Sequence, residues 1–170
     1  MPVYIALLRA VNVMGTGKLP MSSLVSLCED AGLEQVRTYI ASGNAVFTSR
    51  LGEGRIKALL EERLAAHAGR PIGVMVRTAE EMAAVLAASP FRREAADKTV
   101  AIFLDRQPPA DAIETARGRK AERLALGRRE IYVTYRDGIA GSRLVIPAAK
   151  TGTFRNMNTV AKLAAMAGEI

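Results

Sequence analysis

The sequence predicts an α+β fold made of two βαββαβ-type halves, of which the second is the less regular. Three observations support this prediction. Strand-like and helix-like segments alternate along the chain, the helix-like segments carry apolar residues at i, i+3 and i+4 spacing, and glycines follow the helices. With 170 residues, 49% of them hydrophobic, the chain is long enough to bury a substantial core.

The first predicted elements are a mainly buried strand over 3–9 and a helix over 21–31. Within the helix, Leu24 and Cys28 recur at helical spacing and define its apolar face. Gly32 is typical of a residue that ends a helix, because glycine accepts the left-handed conformation there.

A hairpin is predicted after this helix. Segments 36–40 and 45–48 read as short strands on either side of a turn formed by Ser42, Gly43 and Asn44. Serine, glycine and asparagine are common turn residues, so they are explained by the turn alone or by the turn together with a ligand contact.

A second long helix is predicted over 53–68, with Ile56, Leu60 and Leu64 on one face, and a strand over 72–76 follows it. The first 77 residues therefore read βαββαβ, the arrangement called ferredoxin-like. We expect a four-stranded sheet with both long helices on one face.

The second half repeats this alternation less regularly. We expect helices over 79–88, 110–117, 142–149 and 154–167, and strands over 99–104, 121–126 and 130–135. The chain then divides into a ferredoxin-like α/β subdomain, 1–77, and a second, diverged α/β subdomain with C-terminal helices, 78–170. No low-complexity linker separates the two, so we expect them to pack together.

The N-terminal stretch MPVYIALLRAVNV indicates a cytoplasmic location. It has no basic leader, no sufficiently long apolar run and no small-residue cleavage site, so neither a signal peptide nor a membrane partner is predicted.

The chain has one cysteine, Cys28, and one histidine, His67. A lone cysteine cannot form an internal disulfide, and neither residue belongs to a motif with metal-ligand spacing. Serine nucleophiles lack their usual histidine base and the GxSxG elbow. We therefore expect no cofactor and no metal, and the sequence leaves open whether the protein is an enzyme.

The net charge of +7 comes from one segment, 117–155, in which ten basic residues stand against three acidic ones. The basic residues are Arg117, Arg119, Lys120, Arg123, Arg128, Arg129, Arg136, Arg143, Lys150 and Arg155. Such an asymmetry favours a nucleic acid or another phosphate-bearing partner, or it is simply a soluble arginine-rich surface.

Three separated motifs in one order, YIALLRAVNVMGTGKLPM, TYIASGNAVF and TGTFRNMNTVAKL, resemble the bacterial domain-of-unknown-function 1697 family. The resemblance covers nearly the whole chain and implies two ferredoxin-like units, with no established activity. Two positions depart from the family pattern: Ala10 stands where glycine is usual, and Met157 where tryptophan is usual. Methionine offers no ring face for stacking at the latter position.

Arg9, Asn12 and Lys18 are candidate ligand-binding residues near the end of the first strand. An arginine that ends an apolar strand needs a solvent, carboxylate or ligand partner. The GTGK stretch at 15–18 fails the Walker pattern at Asn12 and Leu19, so it is either an anion-binding loop or a flexible strand-to-helix connection. Asn12 either forms a turn or contacts a ligand.

Ser42 and Asn44 are also candidate ligand contacts, because Arg37 and Tyr39 alternate on one face of the strand before them. Strand ends and loops gather at one edge of a ferredoxin-like sheet, which predicts that Arg9, Lys18 and the Ser42 to Asn44 turn lie near one cleft.

The stretch TGTFRNMNTV supplies the remaining candidates, Arg155, Asn156 and Asn158. We expect Thr153 to cap the last helix. A cation at a helix N-terminus is unfavourable without an anion nearby, so Arg155, Asn158 and the helix amides suit a phosphate or carboxylate. The alternative is an internal salt bridge from Arg155 to Glu130 or Asp137.

Two functions from different classes agree with these features. The first is a non-catalytic binding module whose basic second half meets nucleic acid or another phosphate-rich partner. The second is an enzyme or receptor for a phosphorylated or nucleotide-like small molecule. Against the first stand an aromatic content of 5% and the lack of an RNP-type motif, and against the second the lack of a convincing general base.

Overall fold

A computed structural model describes residues 1–12 and 18–170 of the chain. The chain divides into two compact units, one formed by residues 1–83 with 163–170 and the other by residues 84–162. Within the described part of the chain, no helix has the length and apolar character needed to cross a membrane.

The first unit contains a four-stranded antiparallel sheet in the order β2-β3-β1-β4. Its elements in chain order are β1 (Val3–Leu8), α1 (Met21–Asp30), β2 (Glu34–Thr38), β3 (Asn44–Thr48), α2 (Glu53–Ala68) and β4 (Val74–Thr78). The predicted hairpin is confirmed, because β2 and β3 pair antiparallel across the turn that contains Gly43.

Both long helices of the first unit pack on the same face of this sheet, as predicted. Tyr4, Ala6 and Leu8 alternate along β1 and lie in one buried cluster with Leu24 of α1 and Leu60 of α2. Side chains two residues apart on a strand share a face, so this cluster places both helices on that face.

The second unit contains a four-stranded antiparallel sheet in the order β6-β7-β5-β8. The remaining elements are α3 (Ala79–Ala88), β5 (Thr99–Phe103), β6 (Arg123–Leu126), β7 (Glu130–Thr134), β8 (Thr153–Asn156) and α4 (Met157–Gly168). The whole is thus an α+β protein with two four-stranded antiparallel sheets and four α-helices in the described residues.

The helices predicted over 110–117 and 142–149 are wrong. The first segment forms successive turns in which Ala112 is buried and Ala116 packs against the same core, but two alanine side chains bury little apolar area with which to stabilise a short helix. In the second segment, Val145 forms a β-bridge with Arg117, and only Pro147–Ala149 makes a 3-10 turn. Extended pairing has replaced the helical hydrogen bonds there.

The last helix begins later than predicted, at Met157, and the prediction that Thr153 caps it is wrong. Residues 153–156 form β8, in which Thr153 and Arg155 are buried while Phe154 is 57% exposed. This alternation has the period of a strand, and the backbone bonds to β5 satisfy groups that a helix would otherwise have paired.

Candidate anion-binding surface

Part of the basic segment of the sequence gathers at one place in the second unit. The backbones of Arg117 and Val145 exchange two hydrogen bonds of 2.8 Å. Beside them Gly118 has φ 72°, and a Cβ atom there would lie 2.1 Å from the carbonyl oxygen of Arg143. The exposed cations that this contact groups together, named here the basic surface, are Arg117, Arg119, Lys120, Arg136 and Arg143.

A buried carboxylate holds the basic surface in place. Glu122 is 7% exposed and accepts hydrogen bonds of 2.6 Å from the Ser142 hydroxyl and from the backbone N–H of Lys120. The Arg119 Nε atom donates to the Glu122 carbonyl oxygen at 2.9 Å. The Ser142 hydrogen bond, followed by the Lys120 backbone bond, lowers the pKa of Glu122 from 4.5. The carboxylate is therefore ionised at neutral pH and ties the 119–122 segment to Ser142.

A recess of about 90 Å³ opens in the basic surface. Lys120, Arg136 and Arg143 line it, together with Glu122 and Asp137. Its volume is well below the roughly 300 Å³ at which typical small-molecule sites begin. The recess can thus receive a single phosphate of a larger partner.

Asn12 and Asn44, two of the predicted ligand residues, make internal hydrogen bonds. The side-chain amide of Asn12 donates to the carbonyl oxygens of Leu19 and Ala41, both at 2.7 Å. The fully buried amide of Asn44 donates to the carbonyl oxygen of Tyr39 at 2.7 Å and to the Ser42 hydroxyl at 2.9 Å. These bonds fit a structural role, and ligand contact by Asn12, Ser42 and Asn44 stays a prediction.

Arg9 and Lys18 are both exposed. The backbone N–H of Arg9 donates to the Gly73 carbonyl oxygen at 2.9 Å, and Lys18 precedes Leu19, which hydrogen-bonds Asn12. The structure thus brings both residues, with Asn12, to one end of the first sheet. The glycines of GTGK, within 13–17, lie outside the described residues, so its anion-binding role stays a prediction.

The three candidates of the TGTFRNMNTV stretch are directed to different surroundings. Arg155 is 6% exposed and donates to the Thr153 hydroxyl and the Phe154 carbonyl oxygen, both at 2.8 Å. Burial lowers the pKa of Arg155 to about 10, which leaves it protonated at neutral pH. Asn156 accepts the Thr159 N–H at 2.9 Å and so caps α4, whereas Asn158 is exposed. Their ligand roles stay predictions.

Sequence reasoning missed Arg92 and Arg93, which lie in the segment between α3 and β5. With Asn158, Arg92 lines a cavity of about 350 Å³. The net charge gives no sign of this arginine pair, because acidic residues outside segment 117–155 cancel its positive charge. The stretch PFRRE, placed directly after a predicted helix, was the available signal.

The described residues contain no group of three or more histidine, cysteine, aspartate or glutamate side chains placed to hold a metal ion. The cysteine, Cys28, is buried, and burial raises its pKa to about 12. A thiol with such a pKa carries almost no thiolate at neutral pH, so it is a packing residue and not a nucleophile.

Comparison with known proteins gives a family and a fold. The model of a family described as "Protein of unknown function (DUF1697)" matches residues 1–132. A solved structure of a conserved bacterial protein, SP0830 from Streptococcus pneumoniae, is similar with a TM-score of 0.80 and 24% sequence identity over 98% of each chain. This likeness concerns the fold. No protein with a curated description matches the chain.

Proposed function

Because the chain belongs to the DUF1697 family, whose description assigns no function, we propose a function from the site itself: a cytoplasmic binding module whose basic surface engages a phosphate-rich polymer. Nucleic acid is the first candidate for that polymer. The proposal combines the charge of segment 117–155 with the way in which the fold distributes it.

The observation that supports this proposal is the sorting of charge in segment 117–155. Eight of its ten basic residues are exposed, whereas two of its three acidic residues, Glu122 and Glu130, are only 7% and 4% exposed and Asp137 alone of the three is exposed. A partner approaching this side of the unit therefore meets mainly guanidinium and ammonium groups. Such groups attract phosphates over long distances and bind them by charge-assisted hydrogen bonds.

Few aromatic side chains accompany the basic surface, which favours contact with the phosphate backbone over base stacking. Tyr135 lines the recess but is half-buried, and its ring packs against the apolar core of the second sheet. Sequence-specific readers of single strands stack bases on exposed rings. We therefore expect binding that depends on phosphate spacing and salt and depends little on base sequence.

The test is fluorescence anisotropy with labelled single-stranded RNA, single-stranded DNA and duplex DNA at 50 to 300 mM KCl, with inorganic polyphosphate as competitor. Neutralising about five phosphates predicts a slope of log K against log salt of roughly −4.5 for duplex DNA. The paired replacement Lys120→Glu with Arg143→Glu should weaken binding at least about tenfold. Arg106→Glu, an exposed arginine outside the basic surface, is the control.

Each outcome of this experiment supports or contradicts the proposed polyanion binding. Salt-dependent binding that the paired variant loses and the control keeps supports the proposal, and displacement by polyphosphate would extend it to phosphate polymers in general. Equal affinities for the paired variant and the control would remove the basic surface from consideration. Failure of all three labelled nucleic acids to bind at 50 mM KCl would overturn the proposal outright.

The two sheets support a related inference, that both units are versions of one ferredoxin-like plan. They share the same strand order, and Arg77 stands opposite Ile5 in the first sheet as Arg155 stands opposite Ala101 in the second. Ile5 and Ala101 are each the third residue of their strand. The arginines and the helices α3 and α4 that follow them thus occupy equivalent places. The predicted boundary after residue 77 stays a prediction.

A further inference from the structure

A cavity of about 350 Å³ lies in the second unit, away from the basic surface. It is formed by the last turn of α3, the segment that follows it and the first turns of α4. Its apolar lining consists of Leu86, Ala87, Phe91, Ala96, Met157 and Ala161. Its volume falls in the range typical of small-molecule sites, roughly 300–1,000 Å³.

A second recess of about 310 Å³ adjoins the cavity and has a different chemistry. Arg92, Arg93 and Arg123 line it, against one carboxylate, that of Glu94. The two hollows share Ser89, Phe91, Arg92 and Glu94. One continuous site therefore has an apolar compartment and a cationic compartment.

Only one of the three arginines is neutralised by Glu94. The Arg123 guanidinium lies 3.2 Å from Glu94 and 5.2 Å from the centre of the Phe91 ring, which fixes it against the wall. Arg92 and Arg93 are exposed, and no ion pair within residues 1–12 and 18–170 engages either of them. Two guanidinium groups are thus available to an anion at the mouth of the apolar compartment.

We propose that these two compartments form one binding site for a small amphipathic organic anion. Its apolar body occupies the cavity lined by Met157 and Ala161, and its phosphate or carboxylate group lies between Arg92 and Arg93. Asn158, exposed at the first turn of α4, offers an amide to the polar part of the ligand. The site shares no residue with the basic surface, so it stands or falls independently of the polyanion proposal.

The charge and the lining together select this class of ligand. A neutral apolar molecule would gain nothing from Arg92 and Arg93, which would stay hydrated, and inorganic phosphate would leave the apolar wall in contact with water. Burial of apolar surface and charge-assisted hydrogen bonds each add to affinity, so a ligand that satisfies both compartments binds best.

The test uses isothermal titration calorimetry on the full chain with octyl phosphate, octanoate, octyl glucoside and inorganic phosphate. We expect saturable one-to-one binding of octyl phosphate or octanoate, and affinities at least about tenfold lower for octyl glucoside and inorganic phosphate. The stronger of the two anionic ligands identifies the headgroup. Equal binding of octyl glucoside, or failure of both anionic ligands to saturate, would overturn the proposal.

Three variants locate the binding. Arg92→Glu should reduce the affinity for the better anionic ligand by at least about tenfold, since it reverses a charge at the cationic compartment. Ala161→Leu should reduce it by filling the apolar compartment, with circular dichroism to verify folding. Arg106→Glu changes the same net charge elsewhere and should leave the affinity within about twofold. Equal losses in Arg92→Glu and Arg106→Glu would mean that net charge alone governs binding, which contradicts the proposed site.

Discussion

The sequence and the structure favour different roles for Arg155. At a helix N-terminus it would require an anion, but it lies in β8, two residues before α4. Its guanidinium donates to the Thr153 hydroxyl and the Phe154 carbonyl oxygen. These internal contacts favour a structural role.

We therefore expect Arg155→Ala to lower the free energy of unfolding by roughly 2–4 kcal/mol, because it removes buried hydrogen bonds and opens a cavity. Urea denaturation followed by circular dichroism measures this loss, with Arg106→Ala as an exposed control. Unchanged stability with a lost affinity for octyl phosphate would instead assign Arg155 to a ligand.

Ala10 has φ 54°, in the left-handed region that favours glycine. We expect Ala10→Gly to raise the free energy of unfolding by about 0.5–1 kcal/mol, because the relief of strain exceeds the added flexibility of the unfolded chain.

The matched control for this prediction is Ala66→Gly, at an exposed position inside α2. There the same substitution should lower the free energy of unfolding by about 0.5–1 kcal/mol. Thermal denaturation of both variants shows whether each substitution raises or lowers the stability of the protein. A loss of stability in both would show that position 10 tolerates alanine without strain.

The pH dependence of stability has an identifiable contribution from Glu122. Its folded pKa lies below 4.5, so its carboxylate stabilises the fold above that pH, and the contribution is lost as the pH falls through the folded pKa. The Ser142 hydroxyl is the largest cause of this shift. Ser142→Ala should therefore raise the Glu122 pKa toward 4.5 and flatten the acid side of the stability profile.

The Glu122 pKa can be measured from the pH dependence of its carboxyl carbon shift by NMR. Ser142→Thr keeps a hydroxyl and should keep most of the shift. A Glu122 pKa that is the same in Ser142→Ala and in the unchanged protein would refute the assignment of the hydrogen bond.

At the scale of elements, α3 and α4 each begin with a side-chain cap. The Thr78 hydroxyl accepts the N–H of Glu81 at 3.1 Å while the Glu81 carboxylate accepts the N–H of Thr78 at 2.9 Å, a reciprocal capping box. Asn156 caps α4 through the N–H of Thr159. Both caps follow directly on a strand, so they fix where the chain changes from extended to helical.

Asn156→Ala should lower the free energy of unfolding by about 1 kcal/mol, because it leaves a helix N–H without its partner. Asn158→Ala, two residues further into the helix, removes an exposed amide and should change the free energy of unfolding by less than about 0.5 kcal/mol. Chemical denaturation of the two variants compares them. Equal effects would mean that the Asn156 cap contributes nothing.

At the scale of the whole molecule, burial divides the strands of each sheet in the same way. Every residue of β3, β5 and β7 is buried, and so is every residue of β1 except Val3. The edge strands β2 and β6 contain no buried residue.

Amide hydrogen exchange should therefore be slowest in β1, β3, β5 and β7, because opening them exposes the core, and at least about tenfold faster in β2 and β6. Mass spectrometry or NMR of the native protein measures the order. Exchange in β6 as slow as in β7 would contradict it.

The sequence by itself determined the helices α1, α2 and α3 closely, and the positions of most strands. Apolar spacing, glycines such as Gly69 and the short strand patterns are local signals, and the predicted span of α2 agrees with the structure at both ends. Local signals predict the wrong secondary structure where contacts with a segment distant in the sequence determine the backbone conformation. The segment 110–117 places only the small side chains of Ala112 and Ala116 against the core cluster of the second sheet, and Val145 pairs with Arg117, so neither predicted helix around them forms.

Tertiary structure alone decided the candidate site. Pairing of β8 with β5 buries Arg155 and moves the start of α4 to Met157. Packing of the second unit places Arg92 and Asn158, more than sixty residues apart in the sequence, in the lining of one cavity, and it places Arg143 in one recess with Glu122. Periodicity depends on neighbours along the chain, whereas burial and charge grouping depend on contacts between distant segments. Most helices and strands and the excess of positive charge could therefore be predicted from the sequence. Which charged side chains are exposed next to one another depends on the tertiary structure.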